Sequence, residues 1–126
     1  MKNFKTLVLG ASLKEDRYSN KAVRKLVNNN IETVAFGLKA GEISGIEINT
    51  QLKAFDNIHT VTLYLNPKRQ EEYYDYIVSL NPKRVIFNPG TENTTFQNLL
   101  SENGIAFEEA CTLVMLSIGN YKTELA

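Results

Sequence analysis

Phe4-Lys-Thr-Leu-Val-Leu-Gly10, then Tyr18-Ser-Asn-Lys-Ala-Val-Arg-Lys-Leu-Val-Asn-Asn-Asn30, then Glu32-Thr-Val-Ala-Phe36 form the stretch that decides the fold. Its first part is a short apolar run closed by glycine, the pattern of a buried strand. In the second part Val23, Leu26 and Val27 fall at helical spacing, with Lys and Arg on the opposite face. Asn28-Asn29-Asn30 stops that helix, because asparagine tolerates the left-handed conformation a helix end requires. The third part is a second strand. Strand, helix and strand in this order make a βαβ unit, which implies parallel pairing.

The same alternation continues outward. Gly37 to Gly45 reads as loop, and Gly45 to Asn49 alternates apolar and polar residues as a short edge strand would. Thr60 to Leu65 is the next strand. Asn66-Pro67 then reads as a helix cap with proline in the first turn, where its missing N–H costs nothing. That helix should run to Leu80, burying Tyr73, Ile77 and Leu80, and end at Asn81-Pro82. Arg84 to Phe87 is a strand, and a helix from about Asn93 to Glu102 buries Phe96, Leu99 and Leu100. Thr94-x-x-Gln97 matches a capping box at its start. Ile105 to Glu108 is the last strand, and Leu113 to Ile118 a final short helix. The expected fold is α/β and Rossmann-like: an open, mainly parallel sheet with helices on both faces. With Gly45–Asn49 as the third strand, the order 3-2-1-4-5-6 fits.

Length and composition agree. The 126 residues suit one domain, taken as residues 1–126, and leave no room for a separate catalytic one. Apolar residues at 43% and charged residues at 22% are ordinary for a globular chain. Lys plus Arg and Asp plus Glu balance at 14 each, which argues against nucleic acid and anionic membrane as partners. The balance is uneven along the chain: eight basic against three acidic residues through Lys39, and six against eleven beyond it. No apolar run approaches the roughly 20 residues of a membrane span, and the start does not read as a signal peptide. A cytoplasmic location is expected, which makes the sequon Asn93-Thr94-Thr95 a chance match. A single cysteine, Cys111, excludes an internal disulfide and a cysteine zinc cluster.

Open parallel sheets bind ligands outside the carboxyl ends of their strands. Gly10-Ala11-Ser12 passes that test, since small residues there let the backbone approach a phosphate in front of the next helix. Arg17 can pair with phosphate oxygens, and Ser19 or Asn20 can cap the helix or bond a phosphate. After the second strand, where a dinucleotide fold places an acid for the ribose, the chain has Phe36-Gly37-Leu38-Lys39; the lysine suits an extra phosphate or is simply solvated. Asn88-Pro89-Gly90-Thr91-Glu92-Asn93 also follows a strand and precedes a helix. His59, the sole histidine, lies before a strand and reads as a surface residue at the opposite edge, so histidine-based nucleophilic mechanisms lack a base. Cys111 could lie near the crevice or be buried and inert. The acidic pairs read as solvated faces, and Tyr73, Tyr74 and Tyr76 as core packing with an exposed rim.

Taken together, Gly10-Ala-Ser, Arg17-Tyr-Ser-Asn-Lys-Ala, Gly45-Ile-Glu-Ile, Asn88-Pro-Gly-Thr-Glu-Asn, Gly104-Ile and Cys111 resemble the small stand-alone CoA-binding domain proteins, themselves similar to the nucleotide-binding domain of the succinyl-CoA synthetase alpha subunit. The resemblance runs over roughly residues 4 to 116 and rests on order and spacing. It implies a Rossmann-like fold holding coenzyme A or acyl-CoA in an extended groove. By that resemblance Gly10, Ala11, Ser12, Arg17, Tyr18, Ser19 and Asn20 would surround the phosphates, and Lys39 would lie near the adenosine or its phosphates. Leu65 and Asn66 would line the groove, and Asn88, Pro89, Gly90 and Asn93 would approach the pantetheine. Family members often read Asn-Pro-Lys after the second strand; here Gly37-Leu38-Lys39 keeps the lysine without the rigid turn. Nothing corresponds to the synthetase's phosphorylated histidine, so a ligase reaction is not inherited. The leading expectation is noncatalytic binding of CoA or acyl-CoA by a sensor or carrier. An NAD(P)-binding redox sensor, a small enzyme using the Cys111 thiol, and an interaction module with a vestigial groove stand as alternatives.

Overall fold

A computed structural model describes residues 3–123. Its strands are β1 (Thr6–Leu9), β2 (Thr33–Phe36), β3 (Gly41–Ile43), β4 (Ile46–Asn49), β5 (Thr60–Leu63), β6 (Arg84–Phe87) and β7 (Ala106–Glu109). Its helices are α1 (Tyr18–Asn28), α2 (Pro67–Gln70), α3 (Tyr74–Leu80), α4 (Thr94–Glu102) and α5 (Thr112–Ile118). The sheet order is β3-β4-β2-β1-β5-β6-β7. Every pairing is parallel except β3 with β4. Without β3 this is the expected order.

Strand side chains alternate between two cores, as the twofold strand period requires. Leu7, Leu9, Val61, Leu63, Val85 and Phe87 point to one face and pack with Ile77 of α3 and Phe96 and Leu100 of α4. Val8, Ala35 and Ile86 point to the other, against Val23 and Leu26 of α1 and Met115 and Leu116 of α5. The four central strands are in level register: Leu9 is opposite Phe36 and Leu63, and Leu63 is opposite Phe87. Their carboxyl ends therefore finish flush and form a floor.

Three expectations need correction. The stretch read as loop contains β3, and Ile46–Asn49 is an inner strand between β3 and β2. The cause is a two-residue hairpin: Ser44 and Gly45 both take positive φ, 49° and 83°, and Ile43 pairs with Ile46. Such turns match the natural twist of the strands. The helix expected through Leu80 is broken by a 3-10 turn at Glu71–Tyr73. Residues three apart align in that geometry, so Gln70 and Tyr73 both turn inward and are buried. His59 is buried, not exposed. Its ring lies 4.3 Å from that of Phe4, and its Nδ1 is 2.8 Å from Thr60 Oγ1. It does sit before β5, at the end of the sheet away from the floor.

That end holds a second buried polar cluster. Arg84 donates from Nε to Thr60 Oγ1 (3.1 Å) and from Nη1 to the Tyr121 carbonyl (3.0 Å). Its guanidinium lies 4.5 Å from the centre of the Tyr121 ring, and the Tyr121 hydroxyl pairs with Thr6 Oγ1 at 2.6 Å. The segment after α5 is thus tucked back against the amino ends of the strands.

Candidate ligand groove

Outside the flush carboxyl ends runs a groove of about 670 Å³. Glycine makes the close approach possible on one side. Gly10 has φ +100°, and a Cβ there would lie 3.1 Å from the Tyr64 backbone. A Cβ on Gly37 would lie 2.3 Å from the Ala11 carbonyl oxygen, inside any permitted contact. The Gly10 and Ala11 N–H groups both donate to the Phe36 carbonyl at 2.9 Å, which pins the first loop to the end of β2.

The helices around the groove end differently. Asn66 caps α2 by accepting from the Arg69 N–H at 2.9 Å, and Asn93 caps α4 by accepting from the Phe96 N–H at 3.2 Å. The capping box expected at Thr94 does not form, since the cap lies one residue earlier at Asn93 and the Gln97 amide donates to Glu109 (2.9 Å). α1 has no such cap: its N-cap position is Arg17, whose side chain makes no capping bond, and its first turn carries no acid. The first N–H groups of a helix have no partner within the helix and carry partial positive charge.

The charges of the wall have one sign. Lys14, Arg17, Lys39 and Arg69 line the groove, and among the described residues no carboxylate does. Three of the exposed large apolar side chains, Leu13, Tyr18 and Leu38, line it too, beside Lys39 and Arg17.

Of the residues singled out by sequence, Gly10, Ala11, Ser12, Arg17, Tyr18, Ser19, Lys39, Leu65, Asn66, Pro89 and Gly90 all lie on this groove. Asn20, Asn88 and Asn93 do not line it and work behind it. Asn20 donates to the Ser12 carbonyl (2.9 Å) and accepts from Arg24 Nε (2.8 Å), fixing the first loop. Asn88 donates to Thr62 Oγ1 (2.7 Å) and the Leu63 carbonyl (2.8 Å) and accepts from the Thr112 N–H (2.9 Å). Asn93 donates to Gln70 Oε1 (3.0 Å) and the Tyr74 hydroxyl (2.8 Å). Gln70, which sequence reasoning missed, is buried and donates to the carbonyls of Leu65 and Thr91, each at 2.8 Å. It clips the two loops of the far wall together. A glutamine beside a capping proline carries no signal of that role.

Lys14, Tyr64 and Arg69 also line the groove and were not singled out, while Gly37 and Thr91 were read only as parts of loops and Tyr73 as core. The hydroxyl of Tyr64 is buried near Thr62 and Thr112 without a hydrogen bond of standard geometry. Burial pushes its ionisation well above the ordinary tyrosine range. Cys111 is half-buried at the N-cap of α5 and is not among the residues that line the groove. Among the described residues no cluster of His, Cys, Asp and Glu could hold a metal ion. A second, more open concavity lies on the outer faces of α1 and α5, away from the strand ends.

Comparison with known proteins bears on the family and the fold. The sequence model of a family described as a CoA binding domain matches residues 5–117. This chain belongs to the CoA-binding domain family. The match contains every residue of the groove. No curated protein matches the chain. Among solved structures it is similar to a protein described only as uncharacterized, at 46% identity and TM-score 0.92, covering 96% of this chain and 100% of that one. It also shares its fold with a Thermus thermophilus protein (18% identity, TM-score 0.83, covering 94% and 91%). A hypothetical protein from Pyrococcus horikoshii OT3 is similar as well (24% identity, TM-score 0.83, covering 93% and 84%). No helix of the described residues is long and apolar enough to cross a membrane.

Proposed function

We propose that the groove binds coenzyme A or an acyl-CoA without transforming it, the whole chain acting as one binding domain of a cytoplasmic sensor or carrier. The observation that carries this reading is the combination at one site of an uncapped α1 N-terminus and four cations with no opposing carboxylate. Such a wall suits a ligand with several phosphates, because charge-assisted bonds to phosphate are about twice as strong as neutral ones. Coenzyme A carries a diphosphate and a third phosphate on its ribose.

In this reading the α1 N–H groups and Arg17 hold the diphosphate, and Gly10 to Ser12 lets the backbone come close. Lys39 and Lys14 meet the ribose phosphate, and Leu13, Tyr18 and Leu38 cover the adenine ring. The pantetheine arm crosses the strand ends past Leu65 and Asn66 toward Pro89 and Gly90. What the protein supplies is therefore orientation and charge neutralisation.

The test is calorimetric titration of the purified chain with CoA, acetyl-CoA, NADP and NAD. CoA is expected to bind more tightly than either dinucleotide. Arg17→Ala should weaken CoA about tenfold, the loss of roughly one charge-assisted bond at an exposed position. Absence of heat or thermal shift with millimolar CoA would overturn the reading, and a higher affinity for NADP would replace it with a redox-sensor one.

A further inference from the structure

The concavity between α1 and α5, about 450 Å³, lies on the outer surface of the two helices, away from the ligand groove. Its wall carries three cations of α1, Lys21, Arg24 and Lys25, and the half-buried Leu113 of α5. Among the described residues no carboxylate lines it, and neither helix contains one. Arg24 donates from Nε to Asn20 Oδ1 and from Nη2 to the Glu15 carbonyl, each at 2.8 Å, so Glu15 gives it a backbone oxygen and not its charge. Lys25 reaches across to the Ser117 hydroxyl and ties the helices together. Beside this wall, Val114 and Ile118 stand one turn apart on α5, 52% and 67% exposed. Six large apolar side chains are exposed among the described residues; three lie on the ligand groove and two are this pair. Away from the groove, exposed apolar surface therefore gathers on α5.

A helix pair with cations along one member and exposed apolar side chains along the other offers two kinds of contact side by side. We infer that this face docks an acidic amphipathic helix of another protein. Its carboxylates would stand over Lys21, Arg24 and Lys25, and its apolar side chains, one turn apart, over Leu113, Val114 and Ile118. Helices bind grooves in this way, through anchors spaced three and four residues apart, and opposite charges steer the approach and fix the register. A second copy of the chain does not fit, because a two-fold pair presents the same patch from both sides and would bring these cations face to face. A membrane does not fit either: two exposed apolar side chains on a seven-residue helix are too little to insert into lipid, and the face is concave. The inference does not depend on which ligand the groove holds.

The test is selection of random phage-displayed peptides, about 16 residues long and so enough for four helical turns, on the immobilised full chain. Enriched peptides should carry an excess of Asp and Glu, with Leu, Ile, Val or Met at four-residue spacing. In fluorescence anisotropy their affinity should fall as salt rises. Lys21→Gln with Lys25→Gln, and separately Val114→Ser with Ile118→Ser, should each weaken the selected peptides about tenfold. Both double variants should keep the circular dichroism spectrum of the wild type. The second pair alters only exposed apolar side chains, so it decides the matter if losing the Lys25–Ser117 bond lowers the melting temperature of the first. Failure to enrich any peptide overturns the inference, and so does an enriched set without an acidic excess. Acidic peptides whose binding survives both double variants overturn it as well, since they would then sit on the cations of the ligand groove. Sedimentation of the wild type with phosphatidylserine vesicles, lost in the lysine variant, would overturn it in favour of a membrane contact.

Discussion

Gly37 is the position where one added methyl group does most damage. Its Cβ would lie 2.3 Å from a backbone oxygen of the β1–α1 loop, and a backbone atom cannot rotate away as a side chain can. Gly37→Ala should therefore cost about 1–3 kcal/mol and push that loop off the end of β2. The expected result is a lower melting temperature together with weaker CoA binding in the titration. Tyr64 and Tyr121 give a second effect at this scale. Burial raises the ionisation of both above the ordinary value near 10. The folded chain therefore keeps protons that the unfolded chain releases, and stability present below about pH 10 falls as pH rises further. Tyr64→Phe should change the urea midpoint little near pH 7, since its hydroxyl makes no standard hydrogen bond, and should make the alkaline fall shallower. A fall of equal steepness in Tyr64→Phe would rule Tyr64 out as a contributor.

At the scale of elements, the caps divide the helices into those closed by the protein and the one left open. Asn93 closes α4 and also donates to Gln70 and Tyr74, so Asn93→Ala should cost about 1–3 kcal/mol. Asn66→Ala removes only an exposed cap and should cost about 1 kcal/mol or less. Urea titrations of both variants check the ranking, and equal losses would mean that the Gln70 web contributes nothing. Elements of strong period were legible in the sequence: every strand and helix of the βαβ core was placed within about two residues. β3 was not, because three residues pairing across a Ser-Gly turn are too short for a period to register. The 3-10 break after Gln70 was hidden because Tyr73 and Ile77 keep helical spacing across it. In the groove, Gly10 and Arg17 announced themselves by following a strand. Asn20, Asn88 and Asn93 sit at the same kind of position but turn toward the backbone, and a residue's place along the chain does not say which way its amide faces. His59 misled for a related reason, since Phe4, whose ring stands against it, lies far away in the sequence, just before β1.

For the whole molecule, the groove crosses the seam between the β2–β1–α1 half and the β5–β6–α2 half. A ligand lying along it holds both halves, so it should stabilise global unfolding rather than one loop. At a concentration one hundred times Kd the gain is about 2.7 kcal/mol, roughly 10 °C in melting temperature for a chain of this size. Differential scanning fluorimetry over a CoA series should show that rise continuing logarithmically, without a plateau at stoichiometric ligand. A plateau would indicate that the unfolded or a partly unfolded chain binds the ligand as well. The zero net charge of the chain hides the sign of the groove, which Lys14, Arg17, Lys39 and Arg69 line while Lys21, Arg24 and Lys25 line the other concavity.

The open start of α1 carries a practical corollary. N–H groups without a side-chain cap beside Arg17 do not distinguish a nucleotide's diphosphate from any other small oxyanion. Inorganic phosphate or sulfate in a buffer therefore acts as a competitor, and the apparent affinity for CoA should fall in proportion to its concentration. Two laboratories working in Tris and in phosphate would then measure different constants for the same protein.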